Sequence, residues 1–315
     1  MRFAEAIYSI LHLLRPWGDG SGCRIPKFLK IHRKKHMKLI QNQNFPTERA
    51  LYALRDTRVE HCTFAGEEDG ESAFKEAQNI EVSSCTFELR YPFWHTAAYH
   101  ITDSTMTETC RAPLWYAREG RIERVTINGP KALRECDEFD LRRVTVKSAE
   151  FGWRCRDGYA KDCTFESEYI FFECERLRME NITLKGKYSF QYVNDLHILN
   201  SELDTKDSFW HAKNVLVENS TVRGEYLGWY SEGLTMRNCK IIGTQPFCYC
   251  KDLVLENCEL IDCDLAFEYS DVQADTHGHI ISIKNPKSGR IIVDSVGEII
   301  RGDAVYDCNA EIMVR

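Results

Sequence analysis

Polar and aromatic residues recur at a fixed spacing from residue 135 onward, and their side chains are the ones most able to do chemistry. Eight positions between 135 and 268 are equally spaced, at the interval that separates Glu135 from Arg154. They combine carboxylates, a guanidinium, an imidazole and phenols, which bind sugars by hydrogen bonds or act as acids, bases and cations. The eight residues are Glu135, Arg154, Glu173, Tyr192, His211, Tyr230, Tyr249 and Glu268, and His95 lies in the same column two steps before Glu135.

Three consecutive members of this column, Glu135, Arg154 and Glu173, are the candidate catalytic residues. If successive repeats stack at about 4.8 Å, the two carboxylates lie about 9.6 Å apart. That separation is at the upper edge of the roughly 6.5 to 9.5 Å that inverting glycosidases use. Arg154 could instead bind an acidic sugar or act as the base of a lyase. The simpler alternative is a ladder of opposite charges that stabilises the surface of a sheet.

The remaining members of the column are candidate ligand-binding residues. A thin apolar core cannot hold so many charged groups, so the column is expected to face water or a groove. There the rings would offer flat, hydrogen-bonding surfaces to a glycan. Strict alternation would bury the tryptophans one position earlier and expose the phenylalanines two positions earlier, although Arg134 and Gln191 in the tryptophan column leave this register open. The ligand-binding candidates are His95, Tyr192, His211, Tyr230, Tyr249 and Glu268.

Short strands repeated along the chain must position this column. A triplet of a small or β-branched residue, any residue and an apolar residue, as in Cys258-Glu259-Leu260, recurs eleven times from residue 62 to 258, and its last seven steps all equal the interval of the polar column. Apolar residues two after and three before the start of each triplet give every strand one buried face. The pattern predicts an all-β parallel solenoid of about eleven turns, mostly of 19 residues. A leucine-rich repeat is disfavoured, because only one residue separates Leu255 from Asn257.

The position before the triplet is asparagine in five successive units. The apolar alternation changes parity there, so the chain must bend, and asparagine tolerates the left-handed backbone conformation of a one-residue corner. Stacked copies would let the side-chain amides hydrogen-bond to one another. We therefore predict a structural asparagine ladder, formed by Asn181, Asn200, Asn219, Asn238 and Asn257.

Composition divides the chain into four parts. Residues 1–36 carry eight basic and two acidic residues and lack the cleavage site of a secretion signal, so we predict a disordered basic leader or a start at Met37. Residues 37–58 are predicted to form an N-terminal cap with a degenerate first turn, residues 59–271 the solenoid, and residues 272–315 a C-terminal cap. Without a secretion signal, a cytoplasmic location is expected.

Charge and composition argue against several functions. The net charge of −7 offers no general attraction to nucleic acid, and no apolar run approaches the roughly 18 residues of a membrane-spanning helix. No sequence motif for a cofactor is found, so none is expected. Nine of the 14 cysteines fall in two columns of small residues, which predicts buried apolar side chains. A straight file of Cys136, Cys155 and Cys174 suits tetrahedral zinc poorly, so no metal site is expected.

Several segments resemble a known family. The chain resembles the microbial domain of unknown function 3737 family, and its asparagine corners resemble those of pectate-lyase-like β-helices. The resemblance covers residues 37–315 and implies a single-stranded right-handed parallel β-helix. It brings no established activity and no catalytic residues. The segments that carry it are Met37-Lys38-Leu39-Ile40, Glu48-Arg49-Ala50-Leu51-Tyr52, Gly70-Glu71-Ser72-Ala73, Gly224-Glu225-Tyr226-Leu227-Gly228-Trp229-Tyr230-Ser231 and Gly243-Thr244-Gln245-Pro246.

Three functions remain open from the sequence. The first is a non-catalytic scaffold that binds a glycan or another extended ligand through the polar column. The second is a carbohydrate-active enzyme, either a polysaccharide lyase or a glycoside hydrolase, that uses Glu135, Arg154 and Glu173. The third is a structural or assembly protein, whose oligomeric state the sequence does not specify.

Overall fold

The computed structural model describes residues 37–67 and 71–315, and the predicted leader at 1–36 lies outside the described residues. Throughout the described part of the chain, the regular secondary structure consists of 31 β-strands and contains no helix. Strands pair in parallel with the corresponding strand of the next coil, so the chain winds into a parallel β-solenoid, as the repeat predicts.

The first face of the solenoid is its longest ladder, with fifteen strands stacked in parallel. Most of these strands have six residues, and alternate side chains point into the core. The strands are β1 (Lys38–Gln41), β2 (Arg55–Glu60), β4 (Gln78–Ser83), β7 (Ala97–Thr102), β10 (Arg118–Glu123), β13 (Asp137–Arg142), β16 (Arg156–Lys161), β18 (Glu175–Glu180), β20 (Asn194–Leu199), β22 (Lys213–Glu218), β24 (Glu232–Arg237), β26 (Leu253–Ile261), β27 (Asp271–His277), β29 (Ser288–Val293) and β31 (Glu311–Val314).

The other two faces are built from shorter strands and turns. The second face contains β3 (Thr63–Phe64), β5 (Thr86–Phe87), β8 (Thr105–Met106), β11 (Thr126–Ile127), β14 (Thr145–Lys147), β17 (Thr164–Ile170), β19 (Thr183–Ser189), β21 (Glu202–Asp204), β23 (Thr221–Arg223), β25 (Lys240–Ile242), β28 (His279–Lys284) and β30 (Ser295–Ile300), the last two forming a separate parallel pair. The third face contains β6 (Phe93–Trp94), β9 (Leu114–Trp115), β12 (Ala132–Arg134) and β15 (Glu150–Trp153), and later coils cross it as a turn.

The number of turns is about 14, where the sequence predicted about eleven. The additional coils lie at the two ends, where the triplet pattern of the sequence fades. At the first end Ile40 pairs in register with Val59, and at the other Ile291 pairs with Ile312. Backbone pairing does not require the repeated apolar triplet, so parallel coils extend into residues 37–58 and 272–315.

The corner between the first and second faces has the predicted left-handed conformation. The φ angles of Asn219, Asn238 and Asn257 are 49°, 50° and 52°. The Nδ2 atom of Asn238 donates to Oδ1 of Asn219 at 3.1 Å, and Asn257 donates to Asn238 at 2.7 Å. The asparagine ladder is therefore confirmed at these positions, and it fixes the bend that separates two faces of the solenoid.

The core follows the two apolar columns of the sequence. Residues two after and three before each triplet start, such as Phe165 and Ala160 around Cys163, are buried in all eleven units. A third inward column lies on the third face, where Phe171, Phe190 and Phe209 stack with ring centroids 5.8 and 5.5 Å apart. The core is thus continuous along the axis and holds the polar surface of the third face in place.

The cysteines occupy the small inward positions predicted for them. Twelve of the thirteen cysteines described are buried, and only Cys308 is partly exposed. The backbone N–H of Cys155 lies 3.3 Å from Sγ of Cys174, one coil further along. Burial raises the pKa of the Cys136 and Cys174 thiols, as for small apolar side chains in a dry interior. Within residues 37–67 and 71–315, no three His, Cys, Asp or Glu side chains are grouped to hold a metal ion.

The chain segments described by the structure include no helix with the length and apolar character needed to span a bilayer.

Candidate functional site

The third face acquires its surface from two left-handed residues separated by one residue. In the coil of Gln191, the φ angles of Phe190 and Tyr192 are 58° and 57°. Strict strand alternation therefore fails: Phe190 points into the core with no exposed surface, while Tyr192 is 49% exposed. The expectation from strict alternation, with phenylalanine outside and tryptophan inside, is wrong because these turns are not extended strand. The tryptophans, such as Trp210, are half-buried between the two.

An outward column, which we call the outer file, runs along this face. The backbone N–H of each member donates to the carbonyl just before the next member, as from Tyr192 to Trp210 at 2.8 Å. Every member has a left-handed φ between 50° and 60°. The outer file consists of Ala53, Glu76, His95, Tyr116, Glu135, Arg154, Glu173, Tyr192, His211, Tyr230, Tyr249 and Tyr269.

The structure changes two members of the column that the sequence spacing indicated. Tyr116, not Leu114, follows His95, and Tyr269, not Glu268, follows Tyr249. Both coils are longer than the regular repeat, so counting one regular interval falls short of the true position. Leu114 is buried, and Glu268 lies beside the outer file, where its carboxylate is 3.0 Å from Nζ of Lys284.

The rings of the outer file stack face to face along the solenoid axis. Tyr192 and His211 have centroids 4.9 Å apart with planes at 12°, and His211 and Tyr230 lie 5.0 Å apart at 7°. Tyr230 and Tyr249 follow at 4.8 Å and 10°. Burial raises the pKa of the Tyr249 phenol. The stack continues to Tyr269 at 5.6 Å, with the planes tilted by 41°.

Stacking decides which part of each ring a ligand can reach. The faces of His211 and Tyr230 are covered by their neighbours, so solvent meets ring edges. The predicted flat surface for a glycan is therefore wrong for these rings. The exposed edges instead carry phenol O–H groups, which donate and accept hydrogen bonds, and imidazole nitrogens. This surface suits a ligand rich in polar groups at intervals of one coil, about 4.8 Å.

The predicted catalytic trio comes together as a charge ladder. Nη1 of Arg154 lies 3.3 Å from Glu135, and Nε of Arg154 lies 3.2 Å from Glu173. Both carboxylates lie on the same face and are bridged by one guanidinium. The side chains are 36% to 54% exposed, so their ion pairs contribute little to stability.

The trio borders a groove of about 490 Å³. A second arginine on this groove, Arg156, forms a two-pronged hydrogen bond with Asp137 at 2.8 and 3.1 Å, and this contact raises the pKa of the guanidinium. Arg118 also lines the groove and has no ion-pair partner among the described residues. The groove is lined by His95, Tyr116, Ala117, Arg118, Glu135, Asp137, Arg154, Arg156, Glu173 and Glu175.

Half-buried tryptophans support the outer file from one side. Nε1 of Trp210 donates to the Tyr226 carbonyl at 2.7 Å, and Nε1 of Trp229 donates to the Gln245 carbonyl at 2.8 Å. The two indoles stack 5.6 Å apart with planes at 9°. These contacts fix the turn from which the outer file projects, so its side chains are held at a constant spacing.

Sequence reasoning missed Tyr116, Tyr269 and the arginines Arg118 and Arg156. Irregular coil lengths hid the two tyrosines. The arginines had a signal, because charged residues recur two positions after the outer file, separated from it by the buried cysteine column. Two outward columns around an inward one would have predicted a polar surface two side chains wide.

The fold and this site define a class: a parallel β-solenoid with a polar, aromatic outer file and a charged groove on one face. A sequence model of the family described as Protein of unknown function (DUF3737) matches residues 38–313, so the chain belongs to that family, as its sequence segments indicated. A comparison with curated protein sequences gave no match.

Solved structures with a similar chain course include alginate-modifying enzymes. The A-module of mannuronan C-5 epimerase AlgE6 from Azotobacter vinelandii has 12% identity and a TM-score of 0.40, with 81% of this chain and 88% of that chain covered. The AlgE4 A-module from the same organism has 11% identity and a TM-score of 0.28, covering 87% and 89%. The periplasmic alginate epimerase AlgG has 11% identity and a TM-score of 0.26, covering 82% and 76%.

Proposed function

We propose that this protein is a non-catalytic scaffold that binds an extended glycan along the outer file. The observation that carries the proposal is the file of stacked rings, whose edges present hydroxyl groups and ring nitrogens once per coil. A glycan chain offers hydroxyl groups that can donate to and accept from the same phenols. A linear array on the protein therefore matches a linear ligand better than a small molecule.

Rigidity of the file favours binding. Each ring is held between two neighbours, as His211 is held between Tyr192 and Tyr230. Ordered side chains lose little rotamer entropy when a ligand arrives, so more of the hydrogen-bond energy appears as affinity. The groove continues the file with guanidinium groups, and Arg154 uses only two of its five N–H groups on the two glutamates.

The alternative function is that of a carbohydrate-active enzyme in the same groove. The observation that favours it is the presence of Glu135 and Glu173 on one wall. Both carboxylates contact Arg154 at 3.2 to 3.3 Å, so they would have to leave this ion pair to serve as acid and base. Binding without turnover is therefore the function that the geometry supports better.

A glycan array followed by product assays tests the proposal. We expect the full chain to retain polysaccharides from the array, and to release neither reducing ends nor unsaturated products from any that bind. Glu135→Gln with Glu173→Gln should keep binding, since the outer file from Tyr192 onward is unchanged. Turnover that this double variant abolishes would establish the enzyme instead, and absence of binding to every glycan would refute the scaffold.

A further inference from the structure

Two outward files, not one, run side by side on the third face. A second file lies two residues after the outer file, and its members pair in register from coil to coil. The residue between the two files, such as Cys155 between Arg154 and Arg156, points inward and is buried. The second file consists of Arg55, Gln78, Ala97, Arg118, Asp137, Arg156, Glu175, Asn194, Lys213, Glu232 and Lys251.

Charge on this surface is arranged in rows across the axis. The coil of Glu135 carries a second carboxylate, the next coil carries two arginines, and the coil after that carries two glutamates. The sign of the charge therefore alternates from coil to coil, and the pattern repeats every two coils, about 9.6 Å. The three rows are Glu135 with Asp137, Arg154 with Arg156, and Glu173 with Glu175.

We infer that this face binds a second copy of the chain in the antiparallel orientation, which gives a symmetric homodimer. The two-fold axis lies in the interface, perpendicular to the solenoid axis, between the coil of Glu135 and the coil of Arg154. Such an axis reverses the order of the coils and keeps each file opposite itself. It places Arg154 of each copy opposite Glu135 of the other.

The complementarity extends over ten coils. No charge meets a like charge, and a parallel arrangement would instead put each row opposite itself. A shift by one coil, with the axis next to Glu173, would put Arg118 opposite Lys213. The opposed residues are Arg154 and Glu135, Arg156 and Asp137, Glu173 and Tyr116, Glu175 and Arg118, Tyr192 and His95, Asn194 and Ala97, His211 and Glu76, Lys213 and Gln78, Tyr230 and Ala53, and Glu232 and Arg55.

The second copy is the partner that matches the spacing of the rows. A row repeat of two coils is set by the solenoid rise, and another copy carries the same repeat by construction. The charged side chains are available, since Arg154 and Arg156 are each 54% exposed and Glu175 is 48% exposed. Contacts between exposed charges are screened by salt, so this dimer must weaken as ionic strength rises.

This inference does not rest on glycan binding, although both use the outer file. A second copy seated on the face covers the rings, so a glycan and the second copy would exclude each other. Failure of the glycan array leaves the dimer untouched, and a monomeric chain leaves glycan binding untouched. The two proposals are therefore tested separately.

Sedimentation equilibrium of the full chain without ligand is the test. We expect twice the monomer mass of 36.6 kDa in about 0.1 M salt and the monomer in about 1 M salt, because the Debye length falls from about 10 Å to about 3 Å. Arg154→Glu with Arg156→Glu should weaken dimerisation by about tenfold or more, since attraction becomes repulsion at two symmetric positions. Lys213→Glu, in the same file but opposite Gln78, should leave the dimer unchanged.

Mixing two reversed chains gives the sharper result. Glu135→Arg with Asp137→Arg should also be monomeric alone, and an equimolar mixture with the arginine-reversed chain should form a heterodimer. If the reversals impair folding by circular dichroism, Arg154→Gln with Arg156→Gln replaces them and should weaken the dimer. A monomer in low salt, a dimer that resists high salt, or folded reversed chains that fail to associate on mixing would overturn the inference.

Discussion

Truncation of Phe190 tests how far the inward phenylalanine column stabilises the solenoid. Phe190 has no exposed surface and lies between Phe171 at 5.8 Å and Phe209 at 5.5 Å, with ring planes within 9° of parallel. The two neighbours belong to the preceding and following coils. Phe190→Ala therefore removes packing on both sides of one coil and leaves a cavity that the rigid sheets cannot close.

The expected loss follows from these contacts. Replacement of a fully buried phenylalanine by alanine costs about 3 to 5 kcal/mol. Two ring pairs are lost, each contributing about 0.5 to 1.5 kcal/mol beyond the buried area, which favours the upper part of that range. We expect the free energy of unfolding to fall by about 4 kcal/mol.

Urea unfolding followed by circular dichroism measures this change. Phe172→Ala is the matched control, because Phe172 is the next residue but one, is half-buried and packs on Trp153 at 5.2 Å from outside the core. The control should lose clearly less, about 1 kcal/mol, as is typical of a point substitution. A loss below about 1 kcal/mol for Phe190→Ala, or an equal loss in the control, would refute the placement of this column in the core.

Further predictions concern protonation, thiol exposure and packing. Burial, with Arg121 nearby, lowers the pKa of His100 despite Glu123. The neutral imidazole is therefore favoured in the folded chain: its contribution to stability is full above the unfolded-state pKa of about 6.5 and is lost as pH falls through the lower folded-state pKa. His100→Gln should flatten this part of the profile of melting temperature against pH. Native thiol titration should lose one fast equivalent in Cys308→Ser, because Cys308 is the one described cysteine that is not buried; no change would contradict its exposure. Cys155→Leu should lower the free energy of unfolding by about 1 to 3 kcal/mol through overpacking, whereas Cys155→Ala should cost less.

The sequence predicted the stacking well, because stacking is imposed by a constant step. Equal steps of 19 residues place Asn219, Asn238 and Asn257 one above another, and the structure joins them by side-chain hydrogen bonds. The apolar columns around the triplet were also confirmed, since strand alternation holds wherever the backbone is extended.

The third face was harder to predict, for a local reason. Phe190 and Tyr192 adopt left-handed conformations that glycine and asparagine usually signal, and neither residue type is present there. The backbone pays this strain in every coil because stacked neighbours and carbonyl acceptors fix the turn. Coil length was the second obstacle, since Tyr116 and Tyr269 join the outer file only when the longer coils are counted.

The most direct test of the account is the affinity of the hydroxyl edges of the outer file for a glycan identified on the array. Tyr192→Phe with Tyr230→Phe keeps the ring stack and removes only two phenol hydroxyls. Two hydrogen bonds at about 0.5 to 1.5 kcal/mol each predict binding weakened by about tenfold in isothermal titration calorimetry. Tyr188→Phe, outside the outer file, is the control and should bind as the unaltered chain does. Unchanged affinity in the double variant would contradict edge-on binding along this file.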